Sequence, residues 1–401
     1  NDFESGKIKN TTYENEKNTL LILIDNGLLY SNSIEKDNYL VENDPEIAYL
    51  SLAPVYDCNF RCRYCFGKSG TYYIDSPRIF TSELVAKTLD FFFYEAFPHA
   101  KKYRIDFVSG GEPLLNFEAI KHIIQYSESF QKSSQKHVSI WLCTNGSLLT
   151  DTICQYLDEH NVSLGISIDG DEYHHDYNRL DNNGEGTYSK VVNNYCALKE
   201  SKHLSSRFKD VWALSVITPI NCDLVSILNH HYQLGFSSIQ MKIMRDKHSS
   251  NGDIEFYNRL NTEIKKLAKY LLKRFKDGDE SELWLILNHN DMFGRFLIRL
   301  ICKQNVCKRC QAGCSKITIC PNGDIYPCDS FVGNKQCIIG NVIHGITNNS
   351  QYKMVSTNNS ELCNNCDIRE ICGGDCYFNS YINNNSIFVP DEFMCKIYRC
   401  I

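Results

Sequence analysis

Between about residue 48 and residue 245, short apolar runs alternate with longer stretches of helical period. The apolar runs are Ala48–Val55, Tyr103–Ser109, Val138–Cys143, Ser163–Ile168, Val211–Thr218 and Ser238–Ile243; each is bounded by turn residues and predicts a strand. The stretches between them, Ser82–Ala96, Phe117–Phe130, Asp151–His160, Tyr188–Lys199 and Asp223–Leu234, predict helices. Strands separated by such helices make βαβ units and a parallel sheet, which is the α/β class. Six strands of this kind form a doubly wound sheet or an incomplete barrel. In either case the chemistry belongs at the C-terminal strand ends.

Beyond that region the texture changes. Glu255–Lys276 predicts one long amphipathic helix ending near Gly278. From about Cys302, cysteine, asparagine and glycine dominate and the helical period fades. Such a segment has little apolar core of its own, so metal binding would contribute much of its folding energy. Within it, Asn341–Ser360 is polar and reads as a surface excursion. At the other end, Thr11–Tyr30 reads as a helix in a lead-in segment, and the chain begins at Asn1 rather than Met, so residues preceding it are not excluded. The expected organisation is a lead-in over 1–46, an α/β core over 47–250, a helical linker over 251–301 and a cysteine-rich unit over 302–401.

Composition narrows the classes. The chain has 401 residues, of which 43% are hydrophobic and 22% charged, enough apolar material for a sizeable core. Its net charge of −6 gives no basic face for nucleic acid. The longest apolar runs, such as Thr19–Ile24, are far too short to span a bilayer. No secretory segment opens the sequence, so its twenty cysteines are not expected to form a disulfide framework and a reducing cytoplasm is implied. They gather at Cys58–Cys65 and after Cys302, as metal ligands do. Isolated Cys143, Cys154, Cys196 and Cys222 read as small buried hydrophobes, and Cys302, Cys320, Cys337 and Cys400 as structural or spare thiols.

The run Cys58-x3-Cys62-x2-Cys65 offers three thiolates, whereas a [4Fe–4S] cluster has four irons. One iron is then left to bind a small molecule. Zinc would ask for a fourth ligand, usually as two close pairs, and the next cysteine is Cys143. With Tyr64 and Phe66 beside the last cysteine, the run resembles the radical S-adenosylmethionine enzymes. That resemblance implies a partial (β/α)6 TIM-like barrel, a [4Fe–4S] cluster on Cys58, Cys62 and Cys65, and S-adenosylmethionine on its open iron. It further implies that Gly110, Gly111 and Glu112 of the Gly-Gly-Glu-Pro motif hold the methionyl amino group. Thr144 and Asn145 would lie near the ribose, although a plain strand-to-helix turn explains them equally well. Ser167 and Arg179, twelve positions apart, would bind the methionyl carboxylate, which suits a guanidinium fork. Asp169 reads as structural, and His174 and His175 as solvated loop residues.

A second set resembles the SPASM domain: Cys310-x12-Gly323-x4-Cys328, then Cys363-x2-Cys366-x5-Cys372-x3-Cys376 and Cys395. The resemblance implies two auxiliary iron–sulfur clusters. Cys363, Cys366, Cys372 and Cys395 would hold the outer one; Cys310, Cys328 and Cys376 would hold the inner one, with Cys314, Cys307 or an open iron as its fourth position. A zinc ribbon is the simpler alternative.

The stretches Asp106–Phe117 and Tyr326–Gly333 are similar to maturases of ribosomally made peptides, closest to those that install cysteine thioethers. The implied partners are a precursor peptide with its leader and a flavodoxin- or ferredoxin-like reductant. Leu20–Ser31 resembles the end of a leader-recognition module. An anaerobic sulfatase maturase is the runner-up, with Asp329 as its general base. A non-catalytic multi-cluster electron carrier is the reading from another class, and it predicts no cleavage of S-adenosylmethionine.

Overall fold

The computed structural model describes residues 45–72, 78–108, 110–246, 251–288 and 290–401. The expected N-terminal helix and the leader-module resemblance at Leu20–Ser31 lie outside the described residues.

Six parallel strands form the core: β1 (Ile47–Ser51), β2 (Lys102–Phe107), β3 (His137–Thr144), β4 (Ser163–Ser167), β5 (Trp212–Ile217) and β6 (Ser238–Ile243), paired in chain order. The helices expected between them are present, with Thr81, Asn116, Thr150 and Asp223 capping four by accepting from backbone N–H groups. The first strand is shorter than its apolar run, because Leu52–Val55 includes Pro54, which has no N–H to donate to a ladder. The stretch Ser82–Ala96 is α-helical to Asp90 and then widens into a π turn over Phe91–Ala96, where three successive phenylalanines are all buried.

Alternate residues of each strand face opposite ways. On β6, Ile239 and Met241 are wholly buried while Lys242 is exposed. Gln240 and Lys242 therefore share the inner, lumen-facing side, in register with Leu214 and Val216 of β5. Toward the N-terminal strand ends that lumen is filled by Trp141 and Trp212, with the Arg104 guanidinium 3.9 Å from the Trp141 ring. At the C-terminal ends it is polar.

The cysteine-rich unit is not a free-standing body. Its first strand, β7 (Lys316–Ile319), pairs in parallel with β1, and β8 (Asp324–Tyr326), β9 (Gly340–Asn341) and β10 (Gly345–Ile346) continue antiparallel. One ten-stranded sheet results, in the order β10-β9-β8-β7-β1-β2-β3-β4-β5-β6. The expected surface excursion at Asn341–Ser360 is partly interior: Tyr352 is buried, and its ring fills the space beside Gly313.

Candidate active site

The loop carrying Cys58, Cys62 and Cys65 leaves β1 and crosses the C-terminal rim. Gly110 and Gly111 press against its start: Gly111 N–H donates to Val55 O at 3.2 Å and Glu112 N–H to Asp57 O at 2.9 Å. A Cβ on Gly111 would fall on Asp57 O, and one on Gly110, which has φ +85°, would fall on Ala53. The glycines thus admit the loop before any ligand is considered. The far side is held by Arg61 N–H to Leu180 O at 2.7 Å and Arg63 N–H to Asn178 O at 2.9 Å. Asn59 adds a pair of side-chain bonds at 2.8 Å, to Ser147 and from Asn145.

The three thiols of this loop act electrostatically on one another. Burial pushes Cys58 up to about 12 and Cys62 up to about 11, the latter held back by the Arg179 charge. Cys58 Sγ accepts from Phe60 N–H at 3.4 Å and Cys65 Sγ from Ser69 N–H at 3.2 Å. Among the described residues no three Cys, His, Asp or Glu side chains converge on a point that one metal ion could occupy. A zinc ion wants its sulfurs ~2.3 Å from a common centre; a four-iron cluster takes one thiolate per iron. Three thiols on one loop, two of them accepting from neighbouring N–H groups, fit the cluster.

Glu112 is almost wholly buried, and its carboxylate accepts from Thr144 Oγ1 at 2.6 Å, Asn145 N–H at 2.7 Å and Leu114 N–H at 3.1 Å. Burial raises it to about 7 in spite of those donors. Thr144 and Asn145 therefore act first as Glu112's partners. Ser167 ends β4, its hydroxyl 3.5 Å from Cys143 Sγ. Arg179 is buried and forks onto Asp169, Nε to Oδ2 at 2.9 Å and Nη2 to Oδ1 at 3.2 Å. Asp169 also accepts from Tyr64 Oη at 2.6 Å and Val216 N–H at 2.9 Å. The fork leaves Arg179 with donors to spare, since a guanidinium carries five.

Two expectations need correction. His175 is fully buried, because Asp171 caps a short helix over Glu172–Asn178 that turns it inward. Its Nδ1 accepts from Asp169 N–H at 3.4 Å, so its Nε2 donates to Thr187 Oγ1 at 3.1 Å, which in turn donates to Arg179 O at 2.7 Å. Cys196 is exposed rather than buried, whereas Cys143, Cys154 and Cys222 are inside.

The second cysteine set falls into two groups. Cys363, Cys366, Cys372 and Cys395 line one cavity of about 140 Å³. Cys376 acts on both Cys310 and Cys328. Cys310, Cys314, Cys307 and Cys376 all act electrostatically on Tyr377.

The two cysteine regions meet at a set of aromatic and charged side chains. Phe66, next to Cys65, packs against Phe378 with ring centroids 6.2 Å apart, and the Arg245 guanidinium sits 4.8 Å from the Phe66 ring. Asp329 stands 3.9 Å from both Arg245 and Lys316, and Arg245 also bonds the Ser330 hydroxyl. Lys242, Arg245 and Lys316 were not singled out from sequence. The available signal was a lysine inside a short apolar strand, in Ser-Ile-Gln-Met-Lys-Ile and in Lys-Ile-Thr-Ile. A cavity of about 690 Å³, lined in part by His137, His160 and Arg207, opens at the opposite, N-terminal strand ends and contains none of the candidate site residues.

A model of the Radical SAM superfamily matches residues 52–216. Among curated proteins, a radical SAM cyclopropyl synthase of Paramaledivibacter caminithermalis is 22% identical over 378 residues, covering 90% of this chain and 74% of that one. A cysteine-type anaerobic sulfatase-maturating enzyme of Clostridium perfringens is 24% identical over 351 residues, covering 83% and 89%. A serine-type enzyme of Bacteroides thetaiotaomicron is 24% identical over 383 residues, covering 87% of each. The solved structure of native anSMEcpe with bound AdoMet superposes with a TM-score of 0.70 at 21% identity, covering 88% of this chain and 95% of that one, a likeness of fold.

Proposed function

Because the chain carries a radical SAM domain at residues 52–216, we propose that it cleaves S-adenosylmethionine reductively and oxidises a ribosomally made peptide, joining a cysteine sulfur to a carbon as a thioether. The observation that carries this reading is the meeting of the two cysteine regions: Phe66 of the Cys58–Cys65 loop packs against Phe378, two residues from Cys376, and Arg245, over the Phe66 ring, feels the charges of Cys376 and Cys328. When bound, the cluster and cofactor would supply a primary carbon radical able to take a hydrogen atom from an unactivated C–H bond. The chain's own residues do the rest. Cys58, Cys62 and Cys65 hold the cluster; Glu112, Ser167 and Arg179 orient the methionyl group. Gly110 and Gly111 set the loop, and the aromatic wall keeps water from the reacting carbon.

Forming C–S from C–H and S–H removes two hydrogen atoms from the peptide. One leaves on the cofactor fragment; the other leaves as a proton and an electron. The proton passes to a base of the site, and auxiliary clusters on the Cys310 and Cys363 groups would take the electron. The setting is a reducing cytoplasm, with a flavodoxin- or ferredoxin-like donor. No helix of the described residues is long and apolar enough to cross a membrane. Formylglycine formation on a sulfatase is the second reading, favoured by Asp329 and by the two sulfatase-maturating relatives.

The test is anaerobic reconstitution with iron and sulfide, counting iron per chain and assaying 5′-deoxyadenosine after reduction. About twelve irons with cleavage supports three [4Fe–4S] clusters at four irons each. About four with cleavage removes the auxiliary clusters. A loaded protein that releases no 5′-deoxyadenosine is an electron carrier.

A further inference from the structure

Lys242, Arg245 and Lys316 gather around one acid, Asp329. The charges acting most on Lys242 are Arg245, Lys316 and Arg295, all of its own sign, and Asp329. Asp329 stands equally far from Arg245 and Lys316, 3.9 Å from each. Asp106, which also acts on Lys316, is committed to Arg104 at 2.5 Å. Among the described residues the Lys242 amine makes no hydrogen bond and no ion pair. The Lys242 side chain is exposed on the lumen side, while its amine lies near protein atoms and the cations just named. That desolvation and the neighbouring cations push its amine down to about 8.

Position says what such a cation could meet. Ser167 is in register with Leu214, and Leu214 with Gln240. Lys242 lies two residues further along β6, in register with Val216, so it stands on the rim side of the cofactor-facing serine. Its charge reaches Cys143, beside Ser167. On its other flank are Arg245, stacked on Phe66, and Lys316. The cysteines offset part of this charge, but unevenly: Cys328 acts on both Arg245 and Lys316, whereas no cysteine is among the charges acting most on Lys242. A lysine between the two candidate centres, beside an aromatic wall and short of an anion, is suited to an acidic group on an apolar stem.

We propose that Lys242, backed by Arg245 and Lys316, is a carboxylate-binding subsite, and that the substrate peptide presents an acidic group there. This rests on the reading that a peptide is bound between the two cysteine regions. The carboxylate comes from an Asp or Glu side chain or from a peptide C-terminus.

The probes are three fluorescein-labelled cysteine-containing hexapeptides: one with Asp and an amidated end, one with Asn and an amidated end, and one with Asn and a free carboxyl end. Anisotropy is read on the anaerobically reconstituted full chain with S-adenosylmethionine and no reductant. One of the two acidic peptides should bind at least about tenfold more tightly than the neutral one, and which of them does so identifies the source. Lys242→Gln should erase that preference and Lys242→Arg should keep it, with S-adenosylmethionine affinity retained in both. The subsite is overturned by equal binding of the three peptides, by no binding of any, or by a preference that survives Lys242→Gln. It is equally overturned if Lys242→Gln weakens S-adenosylmethionine binding instead. Reductant is then added to the same samples. Release of 5′-deoxyadenosine without an acidic preference sinks only the subsite; an acidic preference without release sinks only the radical reading.

Discussion

Asp169 draws together parts of the site that are far apart in sequence, accepting from Tyr64 of the cysteine loop, Val216 of β5 and Arg179. The bonds from Arg179 are buried, so removing the carboxylate leaves a guanidinium without its partner. Asp169→Ala should cost about 3–5 kcal/mol, read by urea denaturation, and should also weaken S-adenosylmethionine binding; a loss under 1 kcal/mol would show that water replaces the acid. A pH effect follows from the histidines near this acid. Burial holds His175 down to about 3 and His231 down to about 4. Above pH ~6.5 both are neutral folded or unfolded. Below it the unfolded chain binds protons that the folded chain refuses, so their contribution falls as pH drops toward 4, by about 1.4 kcal/mol per pH unit for each histidine. Glu112, raised to about 7, works in the opposite direction and loses stability as pH rises through that value. The comparison of wild type with His175→Gln isolates the imidazole: the variant should show a shallower acid slope by about one proton. At this scale the Ser167–Arg179 spacing could be counted in the sequence, but the fork of Arg179 onto Asp169 could not. The burial of His175 was not legible either, because Asp-Glu-Tyr-His-His-Asp-Tyr-Asn looks solvated until its Asp171 cap is recognised as starting a helix.

At the scale of elements, legibility tracks length. The run Ser238–Ile243 is β6 to the residue, and the long helix expected from Glu255 begins at Asn251. Strands β8, β9 and β10 have two or three residues each, too few for alternation to register, and so went unread. The Gly-Gly-Glu-Pro motif was visible as a ligand cradle, but its packing role was not: nothing in a tetrapeptide says which backbone will lie against it. That role makes a prediction. In Gly111→Ala the new methyl meets Asp57 O, backbone that cannot swing aside as a side chain would, so the Cys58–Cys65 loop must move. The variant should keep the far-ultraviolet circular dichroism of the parent while binding S-adenosylmethionine at least about tenfold more weakly, a loss of about 1.4 kcal/mol. An unchanged dissociation constant would mean that the loop and the motif slide past each other freely.

The whole molecule departs most from what the composition suggests. The change of texture at Cys302 marks where the cysteines begin, yet the hydrogen bonding crosses it. Tyr49 N–H donates to Ser315 O at 2.7 Å, and β7 lies in register with β1 from Tyr49↔Lys316 to Ser51↔Thr318. Ile317 and Ile319 are wholly buried, part of the same apolar cluster as Leu50 and Ile105. Arg299, in the linker helix Gly294–Ile301, donates to Ile371 O at 2.7 Å and Cys372 O at 2.9 Å. Removing residues 302–401 would therefore uncover the β1 edge, expose the apolar face that β7 covers and strip a buried arginine of two acceptors. An unpaired edge strand beside apolar surface is a template for association. The chain ending at Ile301 should accordingly elute in the void volume on size exclusion or pellet on centrifugation. A monodisperse monomer with native-like thermal melting would show instead that the six-stranded core closes without its extension. The expected outcome also bears on mechanism, because β7 and β8 carry Lys316, Cys328 and Asp329 to the side of Arg245. A sheet continuous across the two cysteine regions ties them together, and no hinge at residue 302 is then available to separate them.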